Sequence, residues 1–155
     1  SLVARGGGRF IARPSAVGRP VTISVSSKGR KIGEYVFKVR RLPDPSPYIA
    51  MSGNRFKSGG LSKGALMSVS GIHAAIDDGL IDIPFTVTSF RTVFFDAMGN
   101  AVPLASNGAS FSAQQKEQFR HLSRNKRFYI TNVVVHGPDG TTRTLNGRNM
   151  EVIVQ

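Results

Sequence analysis

The sequence predicts a mainly β protein: a partial immunoglobulin-like β-sandwich module, followed by an α+β domain that is β-rich with one longer helix. Three observations carry this. Stretches of period-two alternation recur at Val21–Ser26, Glu34–Leu42, Phe85–Phe95 and Arg127–His136, the pattern of half-buried strands. The 17 glycines and 8 prolines supply the turns between them, which favours β architecture. One segment alone opens with a strong helix signal, Ser112 followed three residues later by Gln115, a capping box.

Composition bounds the rest. A chain of 155 residues with 40% hydrophobic content can form one domain, or one domain and part of another. No apolar stretch is long enough to span a bilayer, and the N-terminus lacks a secretory h-region. Opening at Ser1 with a strand-like segment close behind, the sequence reads as a fragment of something longer. The absence of cysteine excludes disulfides, thiolate metal sites and cysteine nucleophiles. The net charge of +12 points to an acidic or polyanionic partner.

The first module is expected over residues 1–42. Gly6–Gly8 lack the strand-then-helix setting of a phosphate loop and read as a flexible turn. Arg9-Phe10-Ile11, Val21–Ser26 and Glu34–Leu42 read as three short strands, with Ser27–Arg30 a turn. Phe10, Tyr35 and Phe37 fall at alternating positions and are expected in a core. So few residues bury little surface alone, so further strands are expected from upstream or from a second chain. Pro43, Pro45 and Pro47 then alternate with Asp44, Ser46 and Tyr48. Each proline fixes φ and holds the residue before it extended, so residues 43–48 are expected to be a stiff tether.

Residues 49–155 are expected to form one β-rich domain. Ser52–Gly60 reads as a polar loop, Ser62 as the cap of a short helix through Met67, Val69–Ala74 as a strand and Ala75–Gly79 as a turn. Phe85–Phe95 has apolar residues on both faces and should be central. Ala101–Ala105 returns as a hairpin arm, kept at an edge by Pro103. The capped helix should run over 113–123, with Phe119 and Leu122 inward and Lys116, Arg120 and Arg124 in a row on another face. Arg127–His136, the turn Gly137–Gly140, Thr141–Leu145 and Met150–Val154 complete the sheet.

Little of this is catalytic chemistry. The sequence has no nucleophile elbow, dinucleotide fingerprint, P-loop or zincin motif. Asp77, Asp78 and Asp82 near His73 form the only carboxylate cluster, and the expected role is a solvated turn rather than a metal or acid–base site. No catalytic residue, metal, cofactor or small-molecule substrate is expected. Ser1–Asp44 carries ten basic and two acidic residues, a net of +8, leaving +4 for the remainder. The candidate partner-binding residues are Arg40 and Arg41, beside the tether, and Lys116, Arg120 and Arg124.

The stretch IGEYVFKVRRLPDPSPYIA (Ile32–Ala50), with FTVTSF (Phe85–Phe90) and the later GPDGTTRTLNG, resembles the C-terminal periplasmic part of the GldM/PorM family of the gliding-motility and type IX secretion machinery. The resemblance implies a non-enzymatic periplasmic component of an inner-membrane-anchored homodimer. It implies partners in outer-membrane-associated ring proteins of the GldK/PorK and GldN/PorN type. A further partner, of the GldL/PorL type, is implied at the inner membrane through an N-terminal part that this sequence lacks. It also implies an immunoglobulin-like module before the tether, and no nucleic acid. The alternative, resting on charge alone, is a basic nucleic-acid-binding domain; a basic stripe with exposed aromatics would favour it.

Overall fold

The computed structural model describes residues 1–155. The chain separates into two compact units, Ser1–Leu42 and Pro43–Gln155.

The first unit consists of two antiparallel ribbons. One pairs β1 (Leu2–Gly6) with β2 (Arg9–Ala12) across the Gly7-Gly8 turn. The other pairs β3 (Pro20–Ser27) with β4 (Arg30–Lys38), setting Val21 opposite Phe37 and Ile23 opposite Tyr35. The last strand therefore starts earlier than expected and stops at Lys38; Val39–Leu42 belong to no strand. β4 pairs with β3 alone. The expectation that Phe10, Tyr35 and Phe37 are core is overturned: they are 62, 58 and 54% exposed. The physical reason is that no side chain of Ser1–Leu42 is buried. The alternation of the sequence is real, but its apolar face lies open.

The second unit is built on a nine-stranded sheet. Its path runs β6 (Asn54–Phe56), β5 (Ser46–Met51), β8 (His73–Asp77), β9 (Asp82–Phe95), β11 (Arg127–His136), β13 (Met150–Val154), β7 (Gly59–Leu61). β10 (Ala101–Asn107) pairs with β9 and β12 (Thr142–Thr144) with β11. All pairs are antiparallel except β7 with β13. β9 is central, as its two apolar faces require: β11 lies along one side, while β8 and β10 share the other at opposite ends. β10 has no second neighbour, so Pro103 sits where its missing donor is harmless.

Several stretches differ from the sequence reading. Ser46, Pro47 and Tyr48, expected in the tether, are strand residues opposite Ala75, Ala74 and His73, and Pro45 and Pro47 are buried. Pro47 lies where β5 has one neighbour only, because β6 pairs from Ile49 onward. Ser52–Gly60 is not a plain loop, since it supplies β6 and the start of β7. Ala75 and Ile76, expected in a turn, are buried in β8, and the turn is confined to the residues after Asp77.

The core lies between the sheet and two helices, α1 (Lys63–Ser68) and α2 (Ala113–His121). Ser62 caps α1 and Ser112 caps α2, and the reciprocal bond from Gln115 completes the capping box. Phe119 of α2 meets Phe111, Phe128 and Phe94 at ring separations of 4.9, 5.2 and 5.9 Å. Phe90 joins edge-on to Phe111. Gln115, fully buried, is satisfied: its amide donates to the Leu104 carbonyl while its oxygen accepts from the Ser112 N–H. The inward positions of β9 change phase, from Phe85 and Val87 to Phe90, Thr92 and Phe94. Those of β11 change too, from Phe128 and Ile130 to Val133 and Val135. Both changes occur where the β9–β11 register shifts and where Asn132 takes φ 49°.

Candidate interaction surfaces

The candidate cations do not form one group. Arg40 and Arg41 lie in the strandless stretch after β4, both exposed, in the first unit; Lys116, Arg120 and Arg124 lie in the second. The row expected along α2 is broken. The helix ends at His121 with Leu122 as its cap, so Arg124 falls in the following turn and not one helical repeat beyond Arg120. Arg120 is engaged by Glu117 at 2.7 Å, and His121 meets the same carboxylate at 3.1 Å. The carbonyl end of the helix receives Lys63, whose ammonium donates to the Arg120 and Leu122 carbonyls at 2.7 and 2.9 Å. A cation there complements the negative end of the helix.

The carboxylate cluster resolves into ion pairs. Asp77 meets Lys57 at 2.9 Å and Arg55 at 3.3 Å, and Asp82 meets Arg55 at 2.9 Å. The Lys57 bond, then Arg55, holds the Asp77 carboxyl below its usual range, against the opposing effect of partial burial. Arg55 is shifted up, chiefly by Asp82. Its guanidinium lies 4.7 Å over the Tyr48 ring, and Tyr48 stacks on His73 at 5.5 Å. Three planar groups from β6, β5 and β8 thus form a ladder across neighbouring strands. Asp78 stands apart: its carboxylate accepts the Ile81 and Leu80 N–H groups, which lowers its pKa. No three His, Cys, Asp or Glu side chains come together as a metal site would require. At the other side of the sheet Glu151 accepts from Arg127 and Tyr129 at 3.0 and 3.1 Å.

The two units therefore differ in how their charges are met. In Ser1–Leu42 ten basic residues face one acid, Glu34, and its pair with Lys31 is the only ion pair there. In Pro43–Gln155 Arg55, Lys57, Arg120, Arg127 and Arg143 all reach carboxylates. The Arg55–Asp77–Lys57 set escaped the sequence reading because Asp77 on β8 lies about twenty residues along the chain from Arg55 on β6 and from Lys57 just after it. The Asp cluster was its only local signal.

A β-rich domain with one substantial helix on its sheet is the class this fold defines. The model of the GldM C-terminal domain matches residues 43–155, the second unit, and the chain belongs to that family, one of gliding motility and type IX secretion. No curated protein matches the chain. No helix is long and apolar enough to cross a membrane.

Proposed function

We propose that the chain is a non-enzymatic, periplasmic structural segment of this machinery. On this reading it works as part of a homodimer that links an inner-membrane motor containing a GldL/PorL-type protein to an outer-membrane-associated ring of the GldK/PorK and GldN/PorN type. Ser1–Leu42 are then the closing strands of an immunoglobulin-like module, completed by strands from elsewhere. Family membership supports the machinery. The single observation that carries the contact reading is the cluster of cations in Ser1–Leu42 left without carboxylate partners. An acidic protein face would supply what the chain does not.

Arg40 and Arg41 are the cations chosen for the test, being exposed and outside any strand. Such charges steer encounter and set salt dependence more than they add affinity. Arg40→Glu with Arg41→Glu is expected to slow capture of ring proteins from cell envelopes and to flatten its salt dependence, with the far-ultraviolet spectrum unchanged. Equal association rates and equal salt dependence in the double variant would overturn this assignment.

The exposure of Phe10, Tyr35 and Phe37 among these cations favours a second reading, single-stranded nucleic acid stacked on aromatics. It predicts tight oligonucleotide binding with a steep log–log salt slope. Binding of that kind, with no salt-sensitive capture of an envelope protein, would replace the first reading.

A further inference from the structure

The G-P-D-G-T-T-R segment, Gly137–Arg143, does more than turn the chain. Arg143 lies on β12 with its side chain only 3% exposed, a placement a lone arginine tolerates only when paired. Its fork is filled from two distant parts of the sequence. Nε donates to the Thr141 hydroxyl at 3.0 Å, and one terminal nitrogen donates to the Asp139 carboxylate. The other donates at 3.1 Å to both the Pro43 carbonyl and the Asp44 carboxylate, about a hundred residues away. The guanidinium sits 5.4 Å over the Phe85 ring. Asp139 is itself oriented by the Thr141 N–H and hydroxyl at 3.1 and 2.8 Å. A second arginine, Arg148, donates to the Ser46 hydroxyl at 2.9 Å.

We propose that Arg143 is a clamp on the chain where it enters the second unit, holding Pro43–Ser46 against the sheet so that this stretch moves as part of the domain. Planar, multiply bonded recognition explains why arginine stands there; lysine offers one point charge and no fork.

Hydrogen exchange on the full chain tests this. Pro43, Pro45 and Pro47 have no amide proton and Asp44 is outside the strand, so the readout is Ser46 and Tyr48 of β5, with Ile130 and Val152 reporting the sheet centre. In Arg143→Gln the first two are expected to exchange about tenfold faster or more, with the sheet centre little changed. Arg143→Lys is expected to fall between. Should Arg143→Gln fail to fold, Asp44→Asn serves, because that carboxylate is 52% exposed and Arg143 keeps its other partners. A smaller acceleration restricted to the same amides is then expected. Acceleration by one common factor across the sheet would make Arg143 a general stabiliser and overturn the clamp, as would no change at Ser46 and Tyr48.

Discussion

At the scale of single residues, close approach and hydrogen bonding decide what can be changed. Gly71 bridges to Ser110, and a β-carbon there would stand 2.1 Å from the Ala109 carbonyl oxygen and 2.8 Å from the Ser110 α-carbon. Those are backbone atoms, fixed by the bonds from Ile72 N–H to Ala109 and from Phe111 N–H to Ser70 at 2.8 and 2.9 Å. Gly71→Ala is therefore expected to lower stability by about 1–3 kcal/mol, read from the urea midpoint. The carboxylates set the acid limit. Asp139 is held below its usual range by the Thr141 hydroxyl first, then by the Thr141 N–H and by Arg143, whose charge it shares with Asp44. Asp96 is lowered by Asn100, and Asp78 by the N–H groups after it. A folded pKa below the unfolded one contributes stability that is complete above the unfolded value and is lost as pH falls through the folded value. Urea midpoints are accordingly expected to hold above the ordinary aspartate range and to fall as pH drops into and below it. In Asp139→Asn that acid-side fall should be shallower; an unchanged slope would remove Asp139 from the account.

At the scale of elements, α2 shows what local sequence specifies. Its start was legible because Ser112 and Gln115 satisfy each other within one turn. Ser112→Ala should cost about 1 kcal/mol. Phe119→Ala, which opens the centre of the phenylalanine cluster, should cost about 3–5 kcal/mol. A smaller loss from Phe119 than from Ser112 in thermal unfolding would contradict this packing. The long strands β9 and β11 and the Gly137–Gly140 turn were legible for the same reason: alternation and turn chemistry are local. What was not legible depends on partners far along the chain. β7 is a strand because Gly59–Leu61 lie parallel to Val152–Val154, and nothing in G-G-L announces that. Tyr48 leaves the tether because His73 is opposite it. Arg143 has no local signature, since its defining partners are Pro43 and Asp44. The candidate row Lys116, Arg120, Arg124 failed at its last member because the helix stops at His121, short of the expected end at residue 123.

At the scale of the whole molecule, the two units stand on different energetic footings. Every buried hydrophobic side chain lies in Pro43–Gln155. Ser1–Leu42 instead exposes Leu2, Phe10, Val17, Ile32, Tyr35, Val36 and Phe37 by more than half each. Ordering a backbone costs roughly 1–2 kcal/mol per residue, and chains near forty residues seldom offset that without staples. No disulfide is available to supply one. Residues 43–155 produced alone should therefore unfold in one cooperative transition, at a temperature close to the main transition of the full chain. Residues 1–42 alone should show no cooperative transition and should lack strand signal. The full chain should also bind a hydrophobic dye that residues 43–155 bind much less, because the open apolar face is carried by β3 and β4. A completing partner for that face should quench the dye and bring a second cooperative transition into the full chain's melt. A cooperative melt from residues 1–42 in isolation would show that the ribbons hold themselves, and the need for strands from elsewhere would fall with it.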